Sequence, residues 1–424
     1  MKTTFDYAKY ADNCVKCAKC IPTCTIYQVN RDETTTPRGF IHLLTALQDG
    51  TLELDKNAKA IFESCFLCTS CVSVCPSKVP TEQLIENARA EIAKKFGIAW
   101  FKRVAFYLLK HRTLLDISAK LGFVFKSCGF AAATGGMRAR FSIPMMKKGR
   151  LLPSLAAKSF LATYPEKMDF GGEKTVAIFI GCMANYAYTG VGDSLLYLLR
   201  TLKINALIPK DQLCCGAPSY FTGDLENTKW LIKYNIEYFE LFIDTVEAVL
   251  IPEATCSSMI IHDWARVLEG EEEWVARSKR ITAKCFIASK WLCDQTDIAA
   301  RLAANGKRSV SVTYHDPCHA AKTQGVSKEP RALLGNYTIV EMSDPTSCCG
   351  FGGITIQTER FSLAQAVGKN KAAMIAETGA EMISAECSAC RVQIGEALNR
   401  YGATQRFAHP LELAARALKE AADA

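Results

Sequence analysis

The stretch Cys65-Phe-Leu-Cys68-Thr-Ser-Cys71-Val-Ser-Val-Cys75-Pro76 is a C-x₂-C-x₂-C-x₃-C-P run, a spacing that binds [4Fe-4S] clusters. Three thiolates so spaced wrap three irons of one cubane, and the fourth, after the longer gap, reaches a neighbouring cluster. A second run is therefore required, and Cys14-x₂-Cys17-x₂-Cys20-x₃-Cys24 supplies it, with Thr25 where the proline would stand. The implied wiring is crossed: Cys14, Cys17, Cys20 and Cys75 hold one cubane, and Cys65, Cys68, Cys71 and Cys24 hold the other. The competing reading is a pair of zinc ribbons, because C-x₂-C pairs are also zinc knuckles. Strict x₂ spacing through three cysteines followed by x₃ favours iron.

Outward from these runs, residues 1–96 read as a helical ferredoxin-like domain with two [4Fe-4S] clusters. Some forty residues separate Cys24 from Cys65, too many for a compact two-cluster ferredoxin. Helices are expected at 37–48, opened by Pro37 and stopped by Gly50, at 55–62, and at 80–96 with Gly97 just beyond.

Residues 97–170 form a basic amphipathic linker. Between Lys94 and Arg150 stand thirteen Lys/Arg and one acid, Asp116, a net +12; the rest of the chain carries −4 of the total +8. Aromatic residues interleave with the cations, among them Trp100, Phe106, Tyr107, Phe123, Phe125 and Phe141. An anionic membrane surface is one partner for such a segment, with Lys102, Arg103, Lys110 and Arg112 as candidate lipid-facing cations. A solvated helix pair packed on its own protein is another reading, and stacking on nucleic acid a third; nothing else suggests nucleic acid, so none is expected as a partner. Gly135-Gly136, Pro144 and Pro153 are expected to break the second half into loops.

Beyond Thr175 the chain alternates strands and helices, which argues α/β repeats on parallel sheets. Strands are expected at 175–180, 206–209, 248–251, 312–315, 338–342 and 381–385, and long helices at 224–246 and 359–377. Two tandem cysteine-rich repeats are expected, at 171–305 and 306–424. The first reads Cys182, 31 residues, Cys214-Cys215, 40 residues beginning with Gly216, Cys256-Ser-Ser-Met259. The second reads Cys318, 29 residues, Cys348-Cys349, 37 residues beginning with Gly350, Cys387-Ser-Ala-Cys390. Ligands gather beyond the carboxyl ends of parallel strands, and these cysteines follow strands in both copies. A buried cysteine can be a small hydrophobe, but two Cys-Cys-Gly units at matched spacing argue a repeated metal site. Cys128, Cys285 and Cys293 have no motif partner and read as structural or unpaired thiols.

Composition adds bounds. Hydrophobic content is 49 % and charged content 22 % of 424 residues, a globular balance with room for two or three domains. The 20 cysteines are too sparse for a disulfide scaffold, and their metal-type spacing suits a reducing compartment. The first ten residues hold no apolar core of a signal peptide, and no apolar run is long enough for a transmembrane helix. No G-x-G-x-x-G follows a strand, so no dinucleotide or flavin site is expected.

Taken together, the two cysteine runs and the two Cys-Cys-Gly repeats resemble the iron–sulfur subunits of flavin-linked dehydrogenases: that of glycolate oxidase, its counterpart in anaerobic glycerol-3-phosphate dehydrogenase, and the heterodisulfide reductase subunits. Gly181-Cys182-Met-Ala-Asn185-Tyr186, Tyr314-His315-Asp-Pro317-Cys318-His319 and Phe407-Ala-His409-Pro410 carry the likeness beyond the cysteines. The resemblance implies an electron conduit in an oxidoreductase complex, with no catalytic residue of its own. A partner FAD-containing subunit would oxidise a 2-hydroxy acid of the glycolate or D-lactate type, or glycerol 3-phosphate, and electrons would pass towards quinone. Such a subunit would lie in the cytoplasm, peripheral on the inner face of the cell membrane. The resemblance also implies a noncubane [4Fe-4S] cluster where a Cys-Cys-Gly repeat is complete. Repeat two offers five thiols for it; repeat one offers four, Cys182, Cys214, Cys215 and Cys256, with Met259 in the fifth place, so its centre is open. His315 and His319 flank Cys318, either as structural residues or as cofactor-binding ones that tune a cluster or serve quinone. Two rivals remain: thiol–disulfide chemistry at repeat two in the manner of heterodisulfide reductase, and a scaffold using its clusters only structurally.

Overall fold

The computed structural model describes residues 5–422. Helices in the first hundred residues start and stop as local chemistry dictates. Thr36 caps Pro37–Asp49 by accepting from the Gly39 amide, and Gly50 closes that helix in the left-handed region. Asp55 accepts from the Asn57 and Ala58 amides at the head of Lys56–Glu63. The helix Thr81–Phe96 ends at Gly97. Phe40, Leu44, Phe62, Leu84, Ile85 and Ile92 from these helices are buried together, and Cys348, Ile356 and Phe361 of the second repeat complete the same core. The ferredoxin-like region is thus packed directly on repeat two.

The basic segment begins with two helices, Trp100–Lys110 and Arg112–Val124. Its second half corrects the sequence expectation. Instead of loops it forms an antiparallel sheet of β1 (Phe130–Ala133), β2 (Gly136–Ala139) and β3 (Leu151–Leu152), with Gly135-Gly136 at the hairpin turn. The strands are short and alanine-rich, so the β-branched signal that announces a strand is missing. The end of the segment belongs to repeat one, since Phe160 is fully buried in its core and β4 (Lys167–Met168) pairs with its sheet.

Repeat one is built on β5 (Thr175–Ile178), β6 (Asn205–Leu207), β7 (Ala248–Ile251) and β8 (Cys285–Ile287), in the order β4-β6-β5-β7-β8, parallel except for β4 at the edge. Repeat two uses β9 (Ser311–Tyr314), β10 (Thr338–Ile339), β11 (Met382–Ser384) and β12 (Arg406–Ala408), in the order β10-β9-β11-β12, all parallel. Removing β4 leaves one permutation in both copies, so the duplication seen in the cysteines is also a duplication of topology. Helices cover both faces, which is why β5 and β7 are continuous apolar runs rather than alternating ones. The two repeats share one core: Val176, Leu195 and Leu250 lie in the same apolar cluster as Val312, Tyr314, Leu411 and Ala414.

Three further expectations are corrected. The helix from Asp224 stops at Glu240, and 243–245 is a separate 3₁₀ turn. The helix expected over 359–377 is broken at Arg360 into Gly353–Glu359 and Phe361–Glu377. The strand at 338–342 is reduced to two residues at the sheet edge, where neighbours supply half the ladder.

Candidate metal centres

The eight cysteines of the two runs line two cavities. One is walled by Cys24, Cys65, Cys68 and Cys71. The other is walled by Cys14, Cys17, Cys20 and Cys75, with Cys71 also at its edge. The loops achieve this by a shared strain. Lys16 and Ala18 flank Cys17 at φ 55° and 63°, and Leu67 and Thr69 flank Cys68 at φ 52° and 54°. Left-handed non-glycine residues at the same two positions of both runs turn successive thiols inward, a cost sustained where a site over-determines the backbone. Burial pushes the Cys24 thiol up to about 11 and the Cys65 thiol up to about 12. Sulfur donors converging on one dry space are the donor set a cubane requires.

Arg89, 1 % exposed, fastens this region. Its guanidinium donates to the Cys65 carbonyl at 2.6 Å and to the Phe221 carbonyl of repeat one at 2.7 Å. Gly223 makes the approach possible, because a Cβ there would lie 2.2 Å from the Arg89 carbonyl oxygen. Beside it, Glu86 accepts from Tyr220 at 2.7 Å and from Arg266 at 2.9 Å. Burial pushes the Glu86 carboxyl up to about 8, against the pull of Arg266.

In repeat one, Cys182, Cys214, Cys215 and Cys256 are brought together beyond the carboxyl ends of β5, β6 and β7. The Cys215 and Cys256 sulfurs are 3.5 Å apart, and the Cys182 and Cys214 thiols interact. Met259 is fully buried against Gly216. Leu109, Arg112 and Leu115 of the basic helices wall the cavity beside Cys182 and Cys214.

In repeat two, Cys318, Cys348, Cys349, Cys387 and Cys390 converge beyond β9, β10 and β11. The Cys349 and Cys390 sulfurs are 3.3 Å apart, and Gly350 donates its amide to the Cys348 sulfur at 3.4 Å. Gly350 sits at φ 92°, as Gly216 does at φ 98°, a conformation other residues adopt only under strain. Hydrogen bonds from Cys348 and Cys390 hold the Cys349 thiol well below its ordinary value, and one from Cys390 lowers Cys387. Burial raises Cys318.

His315 is 1 % exposed. Its Nδ1 lies 3.0 Å from the Pro345 carbonyl; a carbonyl only accepts, so Nδ1 carries the proton. Nε2 has no hydrogen-bond partner among the described residues, and a ring nitrogen of His315 lies with the Cys349 and Cys390 sulfurs, the three atoms all within 4.8 Å of one another. An orphaned lone pair among buried sulfurs fits a metal-bearing site. His319 is turned away: its Nδ1 meets Thr255 Oγ1 at 3.2 Å and its ring stacks on Phe221.

The thiol groups adjoin one another. Cys68 and Cys348 interact through their sulfurs, and Lys322, four residues after Cys318, donates to Ser70 Oγ at 2.5 Å. Thr255, next to Cys256, lies 3.5 Å from the Cys387 sulfur, and Glu253 accepts from the Ser388 amide at 2.7 Å. The four groups thus follow the order Cys14 run, Cys65 run, repeat two, repeat one. The remaining thiols lie outside them: Cys128 is exposed, Cys285 donates to the Ile281 carbonyl and Cys293 to the Glu329 carbonyl.

Arg89, Glu86, Lys322 and Lys371 were not singled out from the sequence. Arg89 and Lys371 had a signal: each stands in the apolar stripe of its helix, Arg89 between Ile85 and Ile92, Lys371 between Val367 and Ile375.

Both kinds of cysteine motif fall within known domain families. A 4Fe-4S dicluster domain model matches residues 10–79, and a cysteine-rich domain model matches residues 176–261 and 312–395. The chain is 28 % identical over 407 residues to the probable glycolate oxidase iron-sulfur subunit of Bacillus subtilis, covering 92 % of this chain and 89 % of that protein. It is 30 % identical over 245 residues to lactate utilization protein A of Bacillus cytotoxicus, covering 56 % of this chain and 97 % of that one. A crystal structure of a hypothetical protein from Helicobacter pylori superposes with a TM-score of 0.53 at 10 % identity, over 98 % of this chain and 77 % of the other; that likeness is one of fold.

Proposed function

The chain belongs to the family of lactate utilization protein A and carries a 4Fe-4S dicluster domain ahead of its two cysteine-rich domains, and on that premise we propose that it carries electrons from a partner flavoprotein towards quinone. The flavoprotein subunit would oxidise a 2-hydroxy acid such as glycolate or D-lactate, or glycerol 3-phosphate. The observation that carries the reading is the contiguity of the four thiol groups, through Cys68 with Cys348 and Thr255 with Cys387. Cys14, Cys17, Cys20 and Cys75 would hold one cubane, Cys24, Cys65, Cys68 and Cys71 the second, and the five thiols of repeat two a noncubane [4Fe-4S] cluster. Such clusters supply one-electron transfer. The chain's own residues fix their spacing, keep water out and hold the modules together through Arg89, Glu86 and Lys322. His315 lines the repeat-two site with a ring nitrogen beside the Cys349 and Cys390 sulfurs, and His319 closes it against repeat one.

The test is to purify the native complex anaerobically and add glycolate, D-lactate or glycerol 3-phosphate. At least one should reduce the clusters, and only while a flavoprotein is present. Clusters that stay oxidised with all three would sink the reading.

The same proposal places the complex at the inner face of the cell membrane. No described helix is long and apolar enough to cross a bilayer, so attachment would be peripheral. The two basic helices leave Trp100, Val104, Tyr107, Leu114, Ile117, Leu121, Val124 and Phe125 exposed, Trp100 at 68 % and Val124 at 66 %. A run of exposed apolar residues this long marks an interaction surface, and exposed Arg103, Lys120, Lys147 and Lys148 suit anionic lipid. Three of the four cations expected to face lipid do not. Lys102 is 3 % exposed and pairs with Glu359; Lys110 donates to Asn227 and Arg112 to the Gln212 carbonyl. Neutralising Arg103, Lys120, Lys147 and Lys148 together should weaken binding to anionic vesicles, at about 1 kcal/mol per cation near the surface, and added salt should do the same. Vesicle co-sedimentation that ignores both the substitutions and salt would remove the membrane assignment.

A further inference from the structure

Repeat two differs from repeat one at three places around the thiols. Cys390 stands where repeat one has Met259, three residues after the preceding cysteine. His315 stands where repeat one has Phe179, three residues before the first cysteine. The third difference is a charge. A Cβ on Gly216 would meet Thr228 and Ile232 of the helix Leu225–Glu240; a Cβ on Gly350 would meet Ala364, Val367 and Gly368 of the helix Phe361–Glu377. Aligning the helices on these contacts puts Lys371 opposite Asn235.

Asn235 is fully buried and neutral. Its amide accepts from the Leu213 N–H and donates to the Cys214 carbonyl, each at 3.0 Å, holding the Cys-Cys-Gly loop of repeat one. Lys371 is 1 % exposed. Its ammonium donates to the Asp344 carbonyl at 2.9 Å and lies 3.6 Å from the Met342 sulfur. It forms no ion pair among the described residues. Asp344, the carboxylate that acts on it, is already bonded to the Thr346 and Ser347 amides and the Thr346 hydroxyl. A cation out of water without a partner is costly. The thiols of Cys349, Cys387 and Cys390 lie in one buried cluster with Met342, whose sulfur its ammonium approaches, and with Ala372, its neighbour in the helix. Repeat two therefore gains one thiol and one cation together, and repeat one has neither at the matching positions, Met259 and Asn235.

We propose that Lys371 is the counter-charge of the repeat-two centre, offsetting the fifth thiolate, Cys390, and raising that centre's reduction potential. The inference rests on the reading that repeat two holds a cluster. The physical ground is that cluster potentials follow net charge and burial, and a buried positive charge favours the more negative, reduced form. Lys371 is a positioning residue of charge: it touches no iron ligand directly.

The test is a redox titration of the whole chain, purified anaerobically and followed by electron paramagnetic resonance, before and after Lys371→Met. The expected result is a reduction equilibrium at least tenfold less favourable for the repeat-two centre, about 59 mV for one electron, with both ferredoxin-type clusters unmoved. An unchanged potential overturns the inference. If the methionine variant loses the centre, Lys371→Gln is titrated instead and read in the same way. Loss from both variants supports the inference if the melting temperature of the metal-free chain is unaltered, and overturns it in favour of a packing role if that temperature falls. An unaltered chain that shows no third four-iron centre takes down the underlying reading, and the inference with it, before any substitution is made.

Discussion

Cys75→Ser is expected to remove the cluster of the other run and to leave that of its own sequence neighbours. The reason is the geometry of the two cavities: Cys75 faces Cys14, Cys17 and Cys20, whereas Cys65, Cys68 and Cys71 face Cys24. Iron should fall by about four atoms per chain, one [4Fe-4S] centre. Four serine variants decide the wiring without any prior spectral assignment. With crossed wiring, Cys75→Ser and Cys17→Ser leave the same residual spectrum, and Cys24→Ser and Cys68→Ser leave a second, different one. If Cys75→Ser instead matches Cys68→Ser, each run holds its own cluster and the cavities have been misassigned. Cys71 borders both cavities, so its serine variant is a poor probe and is left aside.

What could be read from sequence follows from how local the responsible physics is. Metal spacing is a covalent property of the chain, so both cysteine runs and both Cys-Cys-Gly units were legible. Helix boundaries set by caps, as at Thr36, Asp55 and Gly50, were legible for the same reason. The failures involve partners distant in sequence. β1 and β2 are strands because Ala131 and Ala132 pair with Arg138 and Met137 and β3 covers their edge, not because alanine favours strands. Lys102 looked like a surface cation, yet it is drawn inward by Glu359 and Thr355, more than 250 residues away. The adjacency of Cys68 and Cys348 depends on the whole first domain docking on repeat two, and no local pattern announces it. Lys371 is the intermediate case: its helical position was readable, but the thiols it faces were not.

Anaerobically prepared chain should contain about 12 irons, from two cubanes and one further four-iron centre, because the two repeats are unequal in donors. Repeat two offers five thiols, and within it the Cys349 and Cys390 sulfurs approach to 3.3 Å. A ring nitrogen of His315 lies beside the same two sulfurs. Repeat one has four thiols and, at the fifth place, the buried thioether of Met259, which carries no charge to give to iron and packs instead against Gly216. Phe179 stands in place of the imidazole and Asn235 in place of the buried lysine, so repeat one is short of a ligand and lacks the charge that repeat two carries on the matching helix. Cys390→Ser should therefore lower iron from about 12 to about 8, whereas Cys256→Ser should leave it unchanged. A count near 16 in the unaltered chain would mean that four thiols suffice and the asymmetry carries no consequence. A count near 8 would mean that repeat two is empty, and sulfide analysis on freshly reconstituted chain separates that result from loss of a labile centre during purification.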